Sequence, residues 1–124
     1  MIFTPIQVIT RPKKNGVGTH FGVLFSDGTV FDYSLDEGLR QISLAEFSEG
    51  ARIMVVREVP WHMANVVHAR LEELRRNPRK YDFLGWNCET FAEWLTTGVP
   101  RSAQVTAGLL LTGVAMVLVI AAKR

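Results

Sequence analysis

Short apolar runs along the first half of the chain predict β-strands. They cover residues 6–10, 19–25, 29–34, 40–43 and 53–56, and most are separated by turn-forming Gly, Pro, Asn or Asp. The last run, Ile53-Met-Val-Val56, is unbroken, which predicts a strand covered on both faces. Ser43-Leu-Ala-Glu46 matches a capping box and predicts one or two turns of helix that end at Gly50.

The apolar spacing changes to a helical period in the second half. Residues 61–76 predict a helix that Asn77-Pro78 ends, with charged residues off its apolar stripe. The stripe consists of Met63, Val66, Val67, Leu71 and Leu74. Asn87 then has the character of an N-cap for a second helix, Cys88 to Thr97, which Gly98 closes. Together these elements predict an α+β fold, a small antiparallel sheet packed with about three helices.

The segment 19-THFGVLFSDGTVFDYS-34 predicts a β-hairpin with two alternative registers. A two-residue turn would pair Val23 with Asp32 and set polar against apolar side chains on both faces. A three-residue loop over residues 26–28, with Gly28 in the left-handed conformation, pairs Val23 with Phe31 instead. The second register keeps the apolar residues on one face, and we therefore expect it.

The same register brings two polar side chains together on the other face. Asp32 lies opposite Gly22 and one diagonal step from His20, a separation that side chains can bridge. The glycine leaves room between them. An exposed His and Asp on a hairpin are most often merely solvated, so this pair alone is a weak indication of a catalytic site.

Composition and charge narrow the function classes. The chain has 124 residues, enough for one domain, and its formal charge of +2 with scattered cations argues against a nucleic-acid partner. A single cysteine excludes an intramolecular disulfide and fits a reducing compartment. His62 and His68 lie six apart, on different faces of the predicted helix, so no metal or other cofactor is expected.

The end of the chain has a different character. Residues 102–122 contain no ionisable side chain, and about 20 helical residues cross a hydrocarbon core of roughly 30 Å. We therefore expect a domain over residues 1–100 followed by a transmembrane helix over residues 102–122. The beginning of the chain does not have the pattern of a secretory signal, so the domain is expected to be cytosolic.

Cys88, the only cysteine, is the first residue inside the predicted helix that follows Asn87. Unpaired N–H groups and the positive end of the helix dipole stabilise an anion there, which favours a reactive thiolate. The alternative is a thiol that packs in the core, since free cysteine is often buried and Phe91 and Leu95 follow at helical spacing.

Two segments carry a resemblance to a known family. The pair 20-HFGVLFSDGTVFD-32 and 87-NCETF-91 resembles the lecithin:retinol acyltransferase family, which includes phospholipase/acyltransferases related to the H-Ras-like suppressors. These are permuted papain-like, NlpC-like cysteine enzymes. The resemblance implies that Cys88 is the nucleophile and His20 the general base. It also implies that Asp32, where many members have a second histidine, orients His20, a role that a carboxylate can fill.

The resemblance implies a membrane-anchored thiol acyltransferase or phospholipase that acts on lipid acyl esters through a thioester on Cys88. Its expected partners are a phospholipid substrate and the bilayer that the C-terminal helix enters. A cysteine peptidase or amidase is the first alternative, because the same chemistry cleaves amide bonds. A catalytically silent membrane-anchored binding module, or a small permeabilising toxin, is the second.

Overall fold

The computed structural model describes residues 5–14, 16 and 18–110. Five strands form one antiparallel sheet with the order β4-β3-β2-β1-β5. The strands are β1 (Ile6–Pro12), β2 (Thr19–Leu24), β3 (Thr29–Ser34), β4 (Gly38–Ser43) and β5 (Met54–Val59). The predicted α+β class with an antiparallel sheet is therefore confirmed.

Three helices and a 3₁₀ turn accompany the sheet, and the described part of the chain ends in further helix. The helices are α1 (Leu44–Ser48), α2 (Ala64–Arg76) and α3 (Cys88–Thr97), with the 3₁₀ turn at Trp61–Met63 and residues 103–110, here called α4, also helical. The capping box at Ser43 and the cap at Asn87 both form as predicted. The predicted helix over residues 61–76 is divided, because its first turn is a 3₁₀ turn.

The hairpin between β2 and β3 has the predicted register. Gly22 pairs with Asp32 and Val23 with Phe31. Gly28 has a φ of 88°, a left-handed conformation that a glycine adopts without steric cost, and its N–H donates to the Phe25 carbonyl at 3.0 Å. The loop therefore keeps the apolar side chains of both strands on one face.

That apolar face packs against α2 and α3 and forms the main core. Val23 and Phe91 are completely buried there, and Tyr33 is 1% exposed. The Tyr33 and Phe91 rings lie 5.3 Å apart, which ties β3 to α3. The same packing brings the beginning of α3, with Cys88, against the sheet.

The opposite face of the sheet is also covered. Ile9 and Val30 are completely buried in a second, smaller core, and Phe47 of α1 is 1% exposed. Asp32 lies on this face and is completely buried. Asp32 is therefore buried rather than solvated, and His20, its predicted neighbour, is half-buried.

The expectation that both faces of the fifth strand are covered was wrong. Met54 is 60% exposed, Val55 52% and Val56 48%. β5 pairs with β1 alone among the described strands. These residues therefore lie at the edge of the sheet, where they stay exposed. The apolar stripe of α2 also differs at one position, since Val66 is exposed.

The predicted transmembrane helix lies largely outside the described residues, because 111–124 are not among them. Within residues 5–14, 16 and 18–110, no helix has the length and apolar character needed to cross a membrane. Ser102 is 8% exposed, so the segment that begins the predicted tail contacts the folded domain.

Candidate active site

Asn87 fixes the position of Cys88, the first residue of α3. The Asn87 Oδ1 accepts hydrogen bonds from the backbone N–H groups of Glu89 at 3.0 Å and Thr90 at 2.9 Å. Thr90 Oγ1 accepts one from the Asn87 N–H at 2.6 Å, and Asn87 Nδ2 donates to the Phe83 carbonyl at 2.9 Å. Cap and preceding loop together therefore hold the thiol at the positive end of the helix dipole.

His20 and Asp32 meet as the hairpin register predicts. The Nε2 of His20 lies 2.8 Å from Asp32 Oδ2, and the two side chains are 12% and 0% exposed. Burial raises the pKa of Asp32, but hydrogen bonds and charges from His20 and Arg40 outweigh it and hold that pKa below its ordinary value. Because Asp32 is then a carboxylate, it accepts the hydrogen bond and Nε2 carries the proton.

Arg40 is a member of the site that the sequence reasoning did not identify. It lies opposite Asp32 in the ladder between β3 and β4. Its Nε donates to Asp32 Oδ1 at 2.8 Å and its Nη2 to Oδ2 at 2.5 Å, a bidentate ion pair. The strand over residues 40–43 was predicted without a register, and pairing it with the preceding strand would have revealed this contact.

The imidazole of His20 rests on the Phe47 ring. The ring centroids are 5.3 Å apart and the planes meet at 28°, so the rings are stacked. Gly22 makes this possible, because a Cβ there would lie 2.6 Å from Phe47 Cε2. The glycine between His20 and Asp32 thus leaves room for a third side chain that supports the histidine.

Cys88 completes the group and is 3% exposed. Burial raises the pKa of its thiol, but hydrogen bonding to His20, the charge of His20 and the backbone N–H of Phe21 lower it further than burial raises it. Burial lowers the pKa of His20, whereas Asp32 and Cys88 together raise it above its ordinary value. Both shifts favour a thiolate beside an imidazolium. Since Asp32 occupies Nε2, Nδ1 is the nitrogen that remains for the sulfur.

Tyr81 is a second residue that the sequence reasoning missed. It is half-buried, and burial followed by the negative charge of Cys88 raises the pKa of its hydroxyl. The phenol therefore stays protonated near the sulfur. Nothing in the spacing of Tyr81 and Cys88 in a single sequence indicates this proximity.

A small basic cleft of about 370 Å³ opens beside His20, lined also by Arg11, Lys13, Lys14 and Glu49. A larger cavity of about 810 Å³ next to Trp61 and His68 includes none of the three candidate residues. Within the described ranges, no cluster of three or more His, Cys, Asp or Glu side chains is arranged to hold a metal ion.

The arrangement can generate a nucleophile at Cys88, with His20 as its base. Asp32 can orient that base, and Arg40 can neutralise the charge of Asp32. Comparison with protein-family models, with curated proteins and with solved structures found no match to this chain.

Proposed function

We propose that the chain is a thiol acyltransferase or phospholipase-type hydrolase that acts on lipid acyl esters, of the lecithin:retinol acyltransferase type. One observation carries the proposal. Cys88 at the beginning of α3 lies beside His20, whose other nitrogen is held 2.8 Å from the buried carboxylate of Asp32. This is the order of nucleophile, base and orienting group that acyl transfer requires.

The first step is activation of the thiol. His20 holds the proton of Cys88 as an imidazolium, and the lowered pKa of the thiol favours the thiolate. Asp32 keeps the imidazole in the tautomer that presents Nδ1 to the sulfur. Arg40 pairs with Asp32 from the other side and keeps the carboxylate ionised.

The second step is attack on the ester. The Cys88 sulfur bonds to the carbonyl carbon, and the carbonyl electron pair moves to oxygen to form a tetrahedral oxyanion. Asn87 Oδ1 accepts the N–H groups of Glu89 and Thr90. The Cys88 N–H, at the same end of the helix, is the donor that we assign to that oxyanion. When the intermediate collapses, the alcohol leaves with the proton from His20, and the acyl group remains as a thioester.

The third step releases the acyl group. His20, now neutral, takes a proton from the attacking water, alcohol or amine, and that nucleophile bonds to the thioester carbonyl. The thiolate leaves and the imidazolium is restored, so the pair returns to its initial state. Water as acceptor gives hydrolysis, whereas an alcohol or amine gives acyl transfer.

The described surface near α3 supports a lipid substrate. Phe83 and Leu84, in the turn that leads to Asn87, are 66% and 57% exposed. Leu109 and Leu110 of α4 are 58% and 65% exposed, and Leu84 and Leu110 line the same cleft of about 790 Å³. An apolar surface of this kind is typical of a site that meets a membrane or another apolar partner.

The proposal includes the domain over residues 1–100, the membrane-spanning helix over residues 102–122 and a cytosolic position for the domain. The first residues of that helix, Ser102 to Gln104, also contact the domain. The support for the proposal is the apolar sequence of the tail. A tail anchored in this way would hold the site at the bilayer surface, where acyl esters are concentrated.

The test is direct detection of the acyl-enzyme. The purified full-length chain is incubated with phosphatidylcholine vesicles, and intact mass spectrometry is used to find one added acyl mass that hydroxylamine removes. Because Cys88 is the only cysteine, the adduct is assigned without digestion. The Cys88→Ala variant should carry none, and His20→Ala should form the adduct much more slowly than wild type.

His62→Ala is the matched control, since His62 is exposed and lies outside the site. It should acylate at the wild-type rate. An adduct with activated peptides but not with lipids would replace the lipid assignment with a peptidase or amidase. If wild type and Cys88→Ala behave alike with both substrates, the chain is not a thiol acyl-transfer enzyme.

A further inference from the structure

The side chain of Gln104 in α4 contacts both halves of the candidate site. Its Oε1 accepts a hydrogen bond from the Thr19 N–H at 2.8 Å, and its Nε2 donates to the Thr19 carbonyl at 3.2 Å. The same Nε2 donates to Glu89 Oε1 at 3.2 Å. Thr19 precedes His20 and Glu89 follows Cys88, so one amide bonds to the neighbours of both groups.

Glu89 holds this segment in place. Its Oε1 accepts hydrogen bonds from Ser102 Oγ at 2.7 Å and from the Gln104 N–H at 3.2 Å, and its Oε2 accepts one from the Ala103 N–H at 3.2 Å. Glu89 is 6% exposed and Ser102 8%. A carboxylate in the first turn of α3 thus caps the first turn of α4, where backbone N–H groups otherwise lack partners.

The location of these bonds matters because the sheet holds the His20 backbone through only one of the described strands. The ladder between β2 and β3 runs from Gly22 to Leu24, so it ends before His20. β1 pairs with this end of β2, Arg11 with His20 and Pro12 with Thr19. The bonds from Gln104 therefore add a second restraint at Thr19, and that restraint leads to α3.

We propose that Gln104 is a positioning residue which, with Glu89 and Ser102, forms a clasp that sets the separation between the His20 imidazole and the Cys88 sulfur. The clasp rests on the proposed function, because it assigns Gln104 a role in the same thiol chemistry. The clasp makes the first turn of α4 part of the active-site structure. It contacts no substrate, and it acts through Thr19 and Glu89.

The experiment measures the thiol rather than turnover. Full-length wild type and Gln104→Leu, in the same detergent micelles, are alkylated with iodoacetamide at a series of pH values, and intact mass spectrometry follows the single cysteine. Gln104→Leu keeps most of the side-chain volume and removes all three side-chain hydrogen bonds. The alkylation midpoint should move to higher pH, and the rate at pH 6 should fall by about threefold or more, since small misplacements weaken such pairs strongly.

Gln41→Leu is the matched control, because Gln41 is exposed on β4 and its amide accepts from Arg75. Its alkylation profile should match wild type. If circular dichroism shows that Gln104→Leu does not fold, Gln104→Asn takes its place. It keeps the amide but is one methylene shorter, and its midpoint should move in the same direction.

The outcomes separate this proposal from the proposed function. An unchanged alkylation profile in a folded Gln104 variant overturns the clasp, even if melting temperature falls, because a merely structural residue would lower stability alone. A shifted profile in a chain whose wild type forms no acyl adduct supports the clasp and overturns the lipid-ester function. A shifted profile with acyl-adduct formation reduced by about tenfold supports both.

Discussion

Gly22→Ala tests how closely the support beneath His20 is packed. A Cβ at this position would lie 2.6 Å from Phe47 Cε2 and 3.0 Å from Val30 Cγ1, and ordinary contact begins at 3.4 Å. The Phe47 ring must therefore move by about 0.8 Å, the difference between 2.6 and 3.4 Å. That ring is 1% exposed and stacks on His20, so it cannot move without disturbing the imidazole.

The magnitude follows from two opposing effects. Replacing a strand glycine by alanine ordinarily stabilises by about 0.5–1 kcal/mol, because alanine loses less backbone entropy on folding. Overpacking a tight core ordinarily costs about 1–3 kcal/mol. We expect the second effect to prevail, with a net loss of about 1–2 kcal/mol and a melting temperature lower by about 5–10 °C. Formation of the acyl adduct should slow by about tenfold as His20 shifts.

Thermal unfolding by circular dichroism and the rate of adduct formation provide the two measurements. Gly85→Ala is the control, since a Cβ at Gly85 would lie 3.5 Å from Asp82 Oδ2, which is ordinary contact. It should change neither quantity. The double variant with Phe47→Leu removes the clashing carbons, so its destabilisation should be smaller than the sum of the two single effects. A Gly22→Ala chain as stable and active as wild type would refute the reasoning.

The other predictions concern the charged and capping groups. His20→Ala should slow adduct formation by about 10²–10⁴-fold, and Asp32→Asn should slow it less, with the rates followed by mass spectrometry; equal losses would contradict the assigned roles. Asn87→Ala should destabilise the fold by about 1–2 kcal/mol in thermal unfolding and raise the alkylation midpoint of Cys88, because the cap is lost; an unchanged midpoint would argue against it. Asp32 has a lowered pKa when folded, so its stabilisation is present above its ordinary value of 3.8 and is lost as pH falls through the folded pKa. His20 has a raised pKa, so its stabilisation is complete below 6.5 and is lost as pH rises through the folded pKa. The free energy of unfolding, measured with urea across pH, should therefore include both contributions between pH 3.8 and 6.5. Asp32→Asn should remove the part of the loss of stability at acid pH that comes from Asp32.

The hairpin and the helix that carries Cys88 could be predicted because their signals are local. Alternation of apolar residues selects one register, and that register alone places Asp32 near His20. The cap at Asn87 and the closing Gly98 define α3 to the residue, since each acts on the turn beside it.

The support around the pair could not be predicted, because it comes from distant parts of the chain. Phe47 is 27 positions after His20, and only the packing of α1 on the sheet brings their rings together. Gln104 is 85 positions from Thr19. A pattern of apolar and polar residues contains no information about such contacts. For the same reason, the unbroken apolar run at residues 53–56 did not reveal that β5 lies at the sheet edge.

In the ion-pair state that the pKa shifts of His20 and Cys88 favour, the four charged groups of the site alternate in sign. Arg40 is positive, Asp32 negative, the protonated His20 positive and the Cys88 thiolate negative. Each inner group has opposite charges on both sides, which offsets the cost of burying it. Arg40 also shares the Asp32 carboxylate with His20, so the carboxylate does not bind the imidazolium proton as firmly as an isolated buried charge would. In the proposed reaction, His20 can then release its other proton, at Nδ1, to a leaving alcohol while Nε2 stays bonded to Asp32. The order of the four charges therefore stabilises the ion pair and still permits the proton transfer that acyl transfer needs.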